Sequence, residues 1–158
     1  QAVPIQVRRA GVTMGRRMLT IARLSLEGTD GGRLLSRYAA LANTGDTGDT
    51  GDTGHTGGCR SHPAIVLAIA GYALAAPPAA VTAAYLQSSV ISLTQNAVRA
   101  IPLGQDAGQR AIASVRGDVH AAVRRIGGLD ETDLGAAAPG IEISQMRHER
   151  QRARMFMS

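Results

Sequence analysis

The chain has 158 residues, enough for one domain with a shared core, and 44% of them are hydrophobic against 18% charged, the balance of a globular protein. All 17 basic side chains are arginine; with 12 acids the net charge is +5, which permits acidic partners, yet three tyrosines, one phenylalanine and no tryptophan offer few rings for stacking nucleic-acid bases. The absence of lysine excludes a phosphate-cradling Gly-x-x-x-x-Gly-Lys-Ser/Thr loop, and a single cysteine, Cys59, excludes an intramolecular disulfide framework.

From Ile5 to about Glu27, the apolar residues Val7, Met14, Met18, Ile21 and Ala22 recur at helical spacing, with Arg9, Arg16 and Arg23 a heptad apart opposite them. The pattern predicts an amphipathic helix whose arginine stripe is either a solvated face or an acidic docking surface. A shorter helix is expected from Arg33 to Ala42, with Asp30 as its cap and Leu34, Leu35, Tyr38 and Leu41 turned inward. Thr44 to Gly58 repeats Thr-Gly-Asp three times and ends the series with Thr-Gly-His, so the low-complexity stretch over residues 44–60 is expected to be a mobile loop.

Ser61 before Pro63 reads as a helix start, because a hydroxyl can accept unpaired amides and proline tolerates the first turn. Ala64 to Ala76 is apolar on every side, which predicts a central helix; it is well short of the roughly 20 apolar residues a bilayer crossing needs. Pro77-Pro78 breaks it and opens another helix, in which Leu86, Val90, Leu93, Ala97 and Ile101 keep a helical spacing up to Pro102. Asp106 stands where a carboxylate favours the next helix N-terminus. That helix carries Ile112, Val115, Val119, Ala122 or Val123, and Ile126 as a buried stripe, stopped by a left-handed Gly127-Gly128. Ile141 to Ser158 reads as a basic tail tipped by Met155-Phe156-Met157. The expectation is therefore an all-α, single-domain bundle of about five to seven helices over residues 1–140, followed by a tail over 141–158.

His55, Cys59 and His62 combine imidazole and thiolate ligands suited to zinc, nickel or copper. No Cys-x-x-Cys pair accompanies them, and nothing in the sequence fixes a second shell, so they remain weak metal candidates beside the plainer account of a repeat variant and a helix start. No nucleophile-elbow motif occurs and the four histidines sit in unrelated contexts, so catalysis has no positive support. The lone thiol and the absence of a basic-then-apolar leader fit a reducing compartment, with the cytoplasm the natural expectation.

Ile101-Pro102-Leu103-Gly104-Gln105-Asp106-Ala107-Gly108-Gln109 resembles the Val-Pro-Leu-Gly-Gln stretch, with its second Gly-Gln, of the UreF family of urease accessory proteins. Met146-Arg147-His148-Glu149 and the terminal Arg154-Met155-Phe156-Met157-Ser158 are similar to the same family's ending, and Ser61-His62-Pro63 before an apolar helix resembles its middle. The Thr-Gly-Asp repeat looks like an insertion. The Pro-x-Gly-Gly and Ser-x-Gly-Leu-Glu motifs of the family's N-terminal segment do not occur, so the chain looks like its C-terminal two-thirds.

The resemblance implies an all-α, dimeric chaperone without substrate chemistry or cofactor. It would join a nickel-delivering GTPase and a scaffold protein, modulate that GTPase, and assist nickel insertion into apo-urease. By motif match it assigns docking to Arg147, His148, Glu149, Arg154, Phe156, Met157 and Ser158, with Pro102, Gly104 and Gln105 as a second contact whose simpler role is to break one helix and start the next. A basic, apolar-tipped tail has little to bury alone and can fold upon a partner. The opposing function classes are a small basic helical regulator that binds nucleic acid, which clustered arginines and exposed aromatics would mark, and a nickel store built on His55, Cys59 and His62.

Overall fold

A computed structural model describes residues 5–44, 61–133 and 138–149, and every regular element among them is helical. In chain order these are α1 (Ile5–Ser25), α2 (Asp30–Thr44), α3 (Pro63–Ala73), α4 (Pro78–Ala100), α5 (Gln105–Ser114), α6 (Arg116–Ile126) and α7 (Pro139–Glu149). A 3-10 turn at Glu131–Asp133 lies between α6 and α7. The all-α expectation is met, and no helix among the described residues is long and apolar enough to cross a membrane. Thr44, the first residue of the expected loop, is the last of α2, and the rest of the Thr-Gly-Asp repeat lies outside the described residues.

The first three helices pack against one another around Leu19, Leu26, Leu35, Tyr38, Ala39 and Val66. Leu35 and Val66 are fully enclosed, and burying each stabilises the fold by about 1.5–3 kcal/mol. Glycines set how closely these helices approach. Gly15 on α1 forms a notch over which the Ser61–His62 backbone passes, since a Cβ there would lie 2.5 Å from the Ser61 carbonyl oxygen, and Gly11 one turn earlier faces the His62 ring. Across α2 and α3, Gly31 meets Ala73 in the same manner. The α1–α2 turn needs a left-handed residue and has Gly28, at φ 76°.

Helix α3 joins this cluster to the second half of the fold, because Gly71 lets Val81 of α4 lie against its backbone. α4 in turn carries α5 and α6: Gly108 sits under Val98 and Thr94, and Val119 is the buried residue of α6. Helix α7 makes no substantial packing with any other helix among the described residues.

Several expectations need correction. On α1 the inward face is Gly15, Leu19 and Ala22, continued by Leu26 just beyond its end, so Met14 and Ile21 point outward, the latter 64% exposed. Leu41 of α2 and Leu93 of α4 are likewise exposed; Ala39 and Ala42 line the inside of α2 instead, and α4 contributes no fully buried residue. The cap of α2 is Thr29 rather than Asp30: its hydroxyl accepts the Gly32 N–H at 3.1 Å and donates to the Leu26 carbonyl at 2.6 Å. The cap of α3 is His62, while Ser61 is buried beside Gly15. The long helix after Asp106 is two helices, broken at Val115, where φ −87° and ψ 2° leave the helical basin; Ile126 is exposed. Gly127 is right-handed, at φ −63° and ψ −15°, so α6 ends without a left-handed stop.

Candidate docking surfaces

The turn between α4 and α5 follows from Pro102. Its ring disfavours helical backbone at the preceding residue, and Ile101 is extended at φ −124° and ψ 147° after its N–H closes α4 on the Ala97 carbonyl. The Leu103 N–H then donates to the Ile101 carbonyl at 2.6 Å, a tight reversal that brings Gly104 to the cap position of α5. Gly104 supplies no side-chain cap, so the Asp106 carboxylate in the first turn provides the charge that this N-terminus favours. Pro102, Gly104 and Gln105 are all exposed, flanked by exposed Ile101 and Leu103. The turn thus breaks and restarts the helix while presenting apolar surface.

Helix α7 begins where the Ala138 N–H donates to the Glu142 carboxylate at 3.2 Å. Its apolar residues Ile141, Ile143 and Met146 are exposed, Ile141 by 62%, while His148 is half-buried and Arg147 is exposed in the last turn. An eleven-residue helix that covers none of its apolar side chains is marginal alone in water, and gains stability when another surface covers them. Arg154, Phe156, Met157 and Ser158 lie outside the described residues, as does the side chain of Glu149.

Of the metal candidates, only His62 is described. Its Nδ1 accepts the Ala64 N–H at 3.3 Å, which commits that nitrogen to capping α3 and leaves Nε2 beside Gly11. His55 and Cys59 lie outside the described residues, among which no group of three or more His, Cys, Asp or Glu side chains is arranged to hold a metal ion.

The arginine stripe divides. Arg9 and Arg16 are engaged in interactions within the chain, whereas Arg23 lines an open groove between the end of α1 and the start of α2. Thr20, Arg23 and Leu24 on α1 form one wall and Gly32, Arg33, Ser36 and Arg37 on α2 the other, each set on one face of its helix by the three- and four-residue spacing, with Glu27 and Thr29 in the turn between them. Arg33 also pairs with Asp30 one turn back. Sequence reading missed this groove. The available signal was the four-residue step from Arg33 to Arg37 on a helix that follows Arg23 by a short turn.

Comparison with known proteins places these surfaces in a family context. The family profile described as UreF matches residues 1–116, from α1 to the start of α6. The urease accessory protein UreF of Arthrobacter sp. (strain FB24) is 46% identical over 158 residues, covering 100% of this chain and 63% of that relative. The protein of the same name from Kocuria rhizophila is 42% identical over 163 aligned residues, again covering 100% of this chain and 63% of the relative. That of Corynebacterium glutamicum (strain R) is 50% identical over 97 residues, 61% of this chain and 43% of its own length. The chain therefore spans less than two-thirds of the length of the relatives it matches.

Proposed function

The chain belongs to the UreF family, and on that premise we propose that it is a non-catalytic urease accessory chaperone that works by docking. In this reading it binds a nickel-delivering GTPase and a scaffold protein, modulates the GTPase, and assists nickel insertion into apo-urease in the cytoplasm, as a homodimer. Similarity over the whole chain to a protein named urease accessory protein UreF is the observation that carries it.

Two physical features support docking as the mode of action. Helix α7 leads into Arg154, Phe156, Met157 and Ser158 with its own apolar residues uncovered, the condition under which a segment gains most from folding onto a partner. The exposed Ile101-Pro102-Leu103 turn, followed by Gly104 and Gln105, presents a second apolar surface whose shape the proline fixes. A nucleic-acid role has less support, since the described arginines are distributed over α1, α2, α4, α5, α6 and α7 rather than drawn to one element. The test is reconstitution: purified apo-urease, GTPase, scaffold protein, GTP and nickel should give more active urease with the chain than without it. Identical activation in both mixtures overturns the reading.

A further inference from the structure

The groove between α1 and α2 has no role in the reading above. We propose that it is a docking site for an acidic peptide segment of a partner protein, with Arg23, Arg33 and Arg37 as the recognising residues. Three arginines line it with one lining carboxylate, Glu27, and a second, Asp30, paired with Arg33; all three arginines are exposed, so one positive charge remains in excess. Guanidinium groups present paired N–H donors that match carboxylates two at a time, which makes such a cluster selective for aspartate and glutamate side chains. The groove is partly open to solvent and not an enclosed cavity, so it suits a peptide side-chain cluster better than a fully enclosed small molecule. Leu24, 69% exposed on one wall, offers an apolar contact between the charges.

The backbone holds the site in place. The turn between the walls is pinned by the two Thr29 hydroxyl bonds, and Gly32 lies against the Leu26 carbonyl with no room for a side chain. The spacing between the arginine-bearing faces is therefore set by packed main chain, so a ligand orders only side chains and loses less entropy on binding.

A fluorescein-labelled hexapeptide of Asp and Glu, titrated into the full chain and followed by anisotropy, tests the proposal. The peptide should bind, an Asn/Gln peptide should not, and added salt should weaken the complex. Arg23→Gln with Arg37→Gln should lower affinity at least about tenfold, whereas Arg110→Gln with Arg125→Gln, the same loss of charge on α5 and α6, should leave it within about twofold. Circular dichroism confirms that both variants fold. Equal losses in the two double variants would reduce the effect to diffuse net charge and overturn the site, as would failure of the peptide to bind. The measurement is independent of the tail, since a chain lacking Arg154 to Ser158 should bind the peptide equally well.

Discussion

Gly31 on α2 and Ala73 at the end of α3 meet so closely that a Cβ on the glycine would overlap the alanine Cβ. The approach lets α3 seat Val66 in the core, so adding one methyl group should separate the helices. Gly31→Ala is expected to lower stability by about 1–3 kcal/mol despite alanine's better helix propensity. Gly117→Ala on α6, where a new Cβ meets nothing within 4 Å, should stabilise by up to about 1 kcal/mol. Urea titration followed by circular dichroism compares the two; equal effects would mean that the contact at Ala73 does not limit the packing.

Helix α3 ends in a Schellman motif, with the Ala76 N–H on the Gly71 carbonyl at 2.9 Å and the Ala75 N–H on the Tyr72 carbonyl at 3.0 Å. The motif puts Ala75 at φ 52°, where a Cβ crowds the carbonyl. Ala75→Gly should raise stability by about 1 kcal/mol, seen as a higher Tm. A lower Tm would show that unfolded-chain entropy outweighs relief of the strain.

The Asp130 carboxylate accepts the Thr132 hydroxyl at 2.6 Å and the Thr132 N–H at 2.8 Å. The hydroxyl bond, chiefly, and then the backbone bonds hold its pKa below the usual carboxylate range. Since the folded pKa is the lower one, this support for the 3-10 turn is present above the unfolded pKa and is lost as pH falls through the folded value. In an NMR pH titration, Thr132→Ala should move the Asp130 midpoint upward. An unmoved midpoint would assign the shift to the backbone alone.

Tight metal binding is not expected at His55, Cys59 and His62. The Nδ1 of His62 caps α3, and a glycine-rich chain gives up much conformational entropy to close around an ion. Calorimetry with nickel and with zinc should show weak binding at most; tight one-to-one binding abolished by Cys59→Ala would favour a metal carrier.

Prolines and motifs made much of this architecture legible. Pro63 and Pro77-Pro78 mark the starts of α3 and α4, and the Pro102 stretch marks the α4–α5 turn and also carries the family resemblance. Facing is harder to read, because helical spacing groups apolar residues without saying which of them a neighbouring helix covers. On α1 the contact surface is chosen by Gly15, which admits the Ser61–His62 backbone, so that Met14 and Ile21 point outward. The break at Val115 was hidden for a related reason: apolar spacing runs unbroken from Ile112 to Val119, so periodicity carries no sign of a one-residue departure from helical backbone. The groove at Arg23, Arg33 and Arg37 needs two helices brought together across a turn, which no single-helix pattern displays.

The claim that the chain acts by docking is tested most directly at its C-terminus, by comparing surface binding of the purified GTPase and scaffold protein to the full chain and to a chain lacking Arg154 to Ser158. Circular dichroism should show the helical core unchanged by the deletion. Affinity should fall by more than about 2 kcal/mol, roughly thirtyfold, because arginine and aromatic anchors at an interface centre carry that much. Within the tail, Arg154→Glu should slow association and make the defect salt-dependent, whereas Phe156→Ala should mainly speed dissociation. Equal affinity of the two chains, both folded, would contradict the account and leave the tail as solvated coil.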